Sequence, residues 1–197
     1  KKLYDDKLPA WIEQRVREQQ RTIDFKAAAV LAESVGADLG TLYNQINKLC
    51  LVVAAGESIS ADHVEQHVGI SKEYNNFELR KALGNGHTAK AYTIAHFFGR
   101  HPRQHPLLGT IRSLHNYFIQ LLTYHGLPSK NPDAVAKALG IHPFFVREIE
   151  QAARRYPLKS LVPILGSIKK ADLAVKGVDA VPTSEGEVLQ ELLSHIA

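Results

Sequence analysis

Residues 107–125 read LLGTIRSLHNYFIQLLTYH, the longest apolar stripe in the chain. Leu107, Ile111, Leu114, Phe118 and Leu121 recur at alternating spacings of four and three, with Leu108 and Leu122 beside them. That is the period of one helix face, whereas a strand would alternate every second residue. The stretch therefore predicts a long helix that must be covered by other helices. Upstream, Gly84-Asn85-Gly86 ends one helix, and a second is expected over 88–98, broken by the loop 101–106. Downstream, Asn131-Pro132-Asp133 combines an N-cap, a first-turn proline and an acid at the positive end of the helix dipole. Gly140 stops that helix and Pro143 starts another, with Phe145, Ile149, Ala152 and Tyr156 on one face. Leu158, Leu161, Val162, Leu165 and Ile168 mark a helix reaching Gly177. Ser184 and Glu187 form a capping box before Val188, Leu189, Leu192, Leu193 and Ile196.

The first third is helical as well. Pro9 opens a helix with Leu8, Ile12 and Val16 on one face. Thr22 or Asp24 caps a second, with Ala28, Leu31, Ala32 and Val35 inward and Gly36 as the stop. Asp38 caps a third, where Leu39, Leu42, Ile46, Leu49 and Val53 face inward. Ser60 caps a short fourth that ends near Gly69. Residues 70–74 form the joint, and Asn75 with Glu78 resembles a capping box beyond it. Only 51–54 has strand flavour, and it continues a helical stripe. The expectation is an all-α chain with a small bundle over 1–70 and a larger helical domain over 75–197.

Composition bounds the function. The chain has 197 residues, 45% apolar and 22% charged, an ordinary globular make-up of one to two domains at about 150 residues each. No run approaches the about 18–20 apolar residues of a membrane span, so no membrane partner is expected. Residues 1–6 lack the apolar stretch of a signal peptide. One cysteine, Cys50, excludes an intramolecular disulfide and a cysteine zinc cage. It lies between Leu49 and Leu51 and is expected to be a buried small hydrophobe. A reducing, cytoplasmic home is expected. The chain lacks methionine and starts at Lys1, and it is read as part of a longer protein extending upstream.

Charge is uneven. Residues 1–74 carry nine Lys/Arg against eleven Asp/Glu, a net of −2, and 75–197 carry fifteen against nine, a net of +6. The densest basic stretch holds Arg147, Arg154, Arg155, Lys159, Lys169, Lys170 and Lys176. Such a surface attracts phosphate, or it is a solvated face.

No catalytic set, metal site or cofactor site is expected. His63 and His67 share a face, but the intervening Glu65 is misplaced for zinc-peptidase chemistry, and a third ligand is not apparent. His101 and His105 flank Pro102 in a turn. Gly84-Asn85-Gly86 with Lys90 has neither the spacing nor the preceding strand of a phosphate loop. Residues 134–149 have the rhythm of a helix-turn-helix. The second helix, however, starts Pro143-Phe144-Phe145, where base readout would want polar side chains. Asp172 falls four residues after Ile168, on the face expected to turn inward, so it needs a partner such as Lys176 or the Arg154-Arg155 pair. Its removal is then expected to lower the melting temperature.

Several pieces in order carry a resemblance: Leu8-Pro9-Ala10-Trp11-Ile12, Ala27-Ala28-Ala29, and Gly36-Ala37-Asp38-Leu39 followed by Leu42, Asn44 and Lys48-Leu49. Phe77-Glu78-Leu79, Ala82-Leu83 and Lys90-Ala91 follow, then Ala138-Leu139-Gly140-Ile141-His142-Pro143-Phe144-Phe145-Val146. Ala152-Ala153-Arg154-Arg155, Ala171-Asp172-Leu173 and Lys176-Gly177 complete the series. Together they resemble the delta subunit of the bacterial DNA polymerase III clamp loader, across essentially the whole chain. Gln45-Ile46-Asn47 departs from that family's acidic-rich run. The resemblance implies an AAA+-like lid followed by a collar domain, without the family's N-terminal AAA+-like domain. It implies a non-catalytic part of a DNA polymerase holoenzyme, a nucleotidyltransferase complex active in DNA replication. Implied partners are the tau/gamma and delta prime subunits, the sliding clamp through the N-terminal domain, and primed DNA. Phe144, Arg147, Arg154, Arg155, Lys169 and Lys170 are the candidate interface or DNA-contact residues, and Asp172 with Lys176 the structural pair. The alternative is a helix-turn-helix DNA-binding regulator.

Overall fold

A computed structural model describes residues 7–36, 38–178 and 184–197. Residues 1–6, expected to lack a signal stretch, and Ala37 of the Gly36-Ala37-Asp38-Leu39 run lie outside them. The described residues form eleven α-helices, a short 3₁₀ turn and two two-residue strands. The all-α expectation holds but for that strand pair. The chain divides into two units, 1–75 and 76–197.

The first unit packs α1 (Leu8–Glu18), α2 (Phe25–Val35), α3 (Leu39–Val52) and α4 (Ala61–Val68) around one core. Leu8, Ile12 and Val16 of α1 meet Ala28 and Leu31 of α2 and Leu42, Ile46 and Leu49 of α3 within it. The caps are local and follow from single residues. Asp38 accepts from the Gly40 and Thr41 amides and from the Thr41 hydroxyl at 2.6 Å. These bonds hold its carboxyl below the usual range, the Thr41 hydroxyl contributing most. Ser60 and His63 form a reciprocal capping box on α4.

The strand pair comes from outside the helical pattern. β1 (Thr22–Ile23) pairs parallel with β2 (Ser58–Ile59). Asp24, at the N-cap of α2, accepts from Ser58 Oγ at 2.7 Å and so ties α2 to β2. Arg21 donates to the carbonyls of Val53 and Ala54, satisfying the open C-terminal end of α3. Residues 70–75 stay with the first unit. Lys72 pairs with Asp62 at 2.9 Å, and Asn75 donates to the Ser71 carbonyl. Cys50 is half-buried rather than buried, and burial pushes its thiol up.

The second unit is built on α7 (Leu107–Gly126), which carries the longest apolar stripe of the chain. Around it stand α5 (Asn76–Gly84), α8 (Pro132–Leu139), α9 (Val146–Arg155), α10 (Leu158–Val175) and α11 (Glu185–Ile196). α6 (Thr88–Arg100) packs on α5 and α11, and runs two residues past the expected end. Ile111, Leu114, Phe118 and Leu121 are buried, while Leu108 points outward. Glu185 in the first turn of α11 accepts from the Leu107 amide at 3.3 Å, serving the N-terminus of α7 across 78 residues. Glu78 is a buried carboxylate paired with Lys90 at 2.8 Å, which joins α5 to α6. The Ser184–Glu187 capping box forms as expected.

α6 and α11 cross at Gly99 and Gly186. A Cβ on Gly99 would stand 2.9 Å from Gly186 Cα, with backbone on both sides and nothing to give way. Gly99→Ala should therefore destabilise the second unit by about 1–3 kcal/mol; denaturant melts of parent and variant measure it.

Phe98 stacks on His105 at 4.3 Å between centroids, with Phe97 at its edge. Burial, and secondarily the His101 charge, pull the His105 pKa below 6.5. A depressed folded-state value means the unfolded chain takes the proton first. The contribution of neutral His105 is present above 6.5 and lost as pH falls towards the lower folded value. His105→Phe keeps the stack and should remove that part of the acid-side loss, read from melting temperature against pH.

Candidate functional site

The site begins with the turn that aims α9. Asn131 caps α8 by accepting from the Asp133 and Ala134 amides, and Gly140 closes it in the left-handed region at φ 64°. His142 Nδ1 then accepts from the Phe144 amide at 3.3 Å, and its carbonyl from the Phe145 amide at 2.9 Å. This sets the 3₁₀ turn Pro143–Phe145 that leads into α9. The two phenylalanines part company there. Phe145 packs on Phe77 of α5 at 5.1 Å, while Phe144 is 60% exposed.

The inner face of α9 decides the outer one. Val146, Ile149, Ala152 and Ala153 are buried, followed by Tyr156. Tyr156 donates its hydroxyl to the Leu83 carbonyl at 3.2 Å, and burial raises its pKa. Residues 144, 147, 151 and 154 are then left pointing out at spacings of three, four and three. The outward stripe is Phe144, Arg147, Gln151 and Arg154, all exposed. An aromatic ring beside guanidinium groups is suited to stacking on bases or rings and to pairing with phosphate or carboxylate.

The basic residues do not form one patch. Arg154 pairs with Glu150 at 2.8 Å along α9. Arg155 lies over the Tyr156 ring, beside Gly86, and donates to the Ala197 carbonyl at 3.3 Å. It therefore lies between the 84–86 turn and the residue that follows α11. Lys169 and Lys170 are exposed on a different helix, α10.

α10 also corrects one expectation, the inward placement of Asp172. Leu158 and Val162, which helped mark the helix, are 54% and 68% exposed. The buried line is Leu161, Ile164, Ile168 and Ala171. Asp172 is consequently half-buried at the edge of that line, paired with Lys176 at 2.7 Å along the helix. Such a partly solvated i,i+4 pair contributes little, so Asp172→Ala should cost only about 0.3–0.5 kcal/mol. A melting-temperature change of the size a core carboxylate would cause would contradict this placement.

Among the described residues no cluster of three or more His, Cys, Asp or Glu could hold a metal, and no helix is long and apolar enough to cross a membrane. His63, singled out for its spacing from His67, is engaged in the α4 cap and lies 3.5 Å from Glu57.

Comparison with known proteins agrees with the family resemblance. The chain is 26% identical over 160 residues to the DNA polymerase III subunit delta of Bacillus subtilis (strain 168), covering 80% of this chain and 46% of that protein. It also resembles the solved structure of the Bacillus subtilis DNA clamp loader delta protein, with a TM-score of 0.59 and 22% identity. That likeness covers 99% of this chain and 57% of the solved one, and it shows the fold. The chain thus spans about half the length of the relatives it matches. No family model matches it. The likeness to delta stated from the sequence is borne out, and nothing in these comparisons supports the helix-turn-helix regulator.

Proposed function

We propose that this chain is the lid-and-collar part of a delta-like clamp-loader subunit, a cytoplasmic scaffold that does no chemistry of its own. The first unit serves as the lid and the second as the collar. Its partners are the tau/gamma and delta prime subunits, with the sliding clamp reached through an AAA+-like domain outside this chain. The activity supported is assembly of the loader that places the clamp on primed DNA.

The observation that carries this reading is a likeness in both sequence and fold. A delta subunit matches in sequence over most of the chain, and a clamp-loader delta protein matches in fold over nearly all of it. The residues agree in kind. Tyr117 and Tyr156 of the second unit have their pKa values raised by burial among packed helices.

Within the collar, the stripe Phe144, Arg147 and Arg154 is the contact we assign to primed DNA in the assembled loader. Phe144 stacks on an unpaired base and the arginines meet phosphates.

Primed-DNA binding by the reconstituted loader tests the stripe. Phe144→Ala should weaken it by about 1–3 kcal/mol. Arg147→Glu with Arg154→Glu should flatten the dependence of affinity on salt. The fold should survive both changes, with melting temperatures at the parent's, since all three side chains point away from the core. Unchanged affinity and salt slope would mean that the stripe is a solvated face. Sequence-specific binding of duplex DNA by the chain alone is the outcome that would restore a regulator.

A further inference from the structure

The outer face of α10 has a chemistry of its own. Leu158 and Val162, four residues apart, form an exposed aliphatic ridge. Gly166 continues it one turn on, with open space where a side chain would stand. Lys159 and Lys170 lie along one side of the ridge, Lys169 follows its line beyond Gly166, and all three are exposed. Among the described residues of α10 the sole acid is Asp172, and it is paired with Lys176. The inner face is fully used, by α7 and α11.

We infer that this face docks an amphipathic helix of another protein, one whose apolar stripe is bordered by Asp and Glu. The inference rests on the scaffold reading above and names the partner chemistry of one of its surfaces. Charge complementarity selects the occupant. A second copy of this chain related by a two-fold axis would set the lysines against themselves. Nucleic acid would want a stacking ring, and the centre of this face is aliphatic instead. A helix with acidic borders seats its apolar stripe on Leu158 and Val162, comes close at Gly166, and leaves its carboxylates at the three lysines. Complementary charge at the rim also speeds encounter and fixes orientation.

The test uses the full-length protein with purified clamp-loader subunits of the same organism. Leu158→Ser/Val162→Ser and Lys159→Glu/Lys169→Glu/Lys170→Glu alter only outward side chains, so their melting temperatures should match the parent's. Each should weaken assembly about tenfold or more, and the charge variant's loss should shrink as salt rises. A photo-crosslinker at residue 162, which needs no loss of binding, should tag a helix rich in Asp and Glu. Normal assembly by both variants overturns the proposal, as does an adduct on a segment without acids, or a loss confined to DNA retention. A synthetic leucine-striped helix bordered by glutamates, with a lysine-bordered twin, separates this from the scaffold reading. If the parent fails to assemble yet binds the glutamate peptide through residues 158 and 162, the scaffold reading falls and the docking face stands. If it does neither, both fall.

Discussion

Phe118 is fully buried on α7, and the second unit is arranged so that its ring has edges to meet. Tyr156 presents a ring at 5.2 Å and Tyr117 at 5.3 Å, both close to perpendicular. That geometry sets the negative face of one ring against the positive edge of the next. Each tyrosine then has a hydroxyl to satisfy in the interior. Tyr156 spends its own on the Leu83 carbonyl at the end of α5. Tyr117 reaches Gly84, where the missing side chain makes the room it needs. One aromatic cluster thereby joins α5, α7 and the end of α9. Burying such rings contributes about 1.5–3 kcal/mol apiece, and leaving a hydroxyl unpaired there would cost about as much.

The outward chemistry follows from that inward one. Once Tyr156 is anchored at Leu83 and Ile149 and Ala152 are buried, the rotation of α9 has no freedom left. The side chains at 147, 151 and 154 must face away. Phe144 is subject to the same constraint one turn earlier. The 3₁₀ turn commits Phe145 to Phe77, so its neighbour cannot also turn inward. An exposed phenylalanine is thus held on a rigid element and costs little further ordering when something stacks on it.

The features legible in the sequence are those whose causes are local. Asp38, Ser60, Asn131 and Ser184 cap the helices they precede, because a cap needs only a side-chain oxygen two or three residues from its amide. α7 was legible because its stripe is long and its period unbroken. The rotation of α10 was not. Leu158, Leu161, Val162, Leu165 and Ile168 spread over more than one face, and periodicity alone does not say which of them a neighbour covers. Packing against α7 and α11 selects the line through Leu161, Ile164 and Ile168. The strand pair, the Glu185 cap on α7 and the Gly99–Gly186 crossing join residues tens of positions apart. No window of sequence holds both halves of any of them. Arg155 is the same case within the candidate site. In the sequence it is one more cation of the basic stretch, yet it lies over the Tyr156 ring beside Gly86 and donates to the Ala197 carbonyl.

The net charge of the basic half therefore conceals two different surfaces. On α9 the cations are arginines and the exposed apolar group is an aromatic ring. Guanidinium is planar, weakly hydrated and able to stack, which suits ordered contacts with phosphates and bases. On α10 the cations are lysines and the exposed apolar groups are aliphatic. Ammonium is a strongly hydrated point charge on a flexible stem, which suits the rim of a protein contact, where it can stay wet. The proposed scaffold role, gripping neighbouring proteins while nucleic acid passes close by, would use both kinds of surface and use them separately. Placing them on separate helices, each fixed in rotation by its own buried line, lets one contact change without disturbing the other.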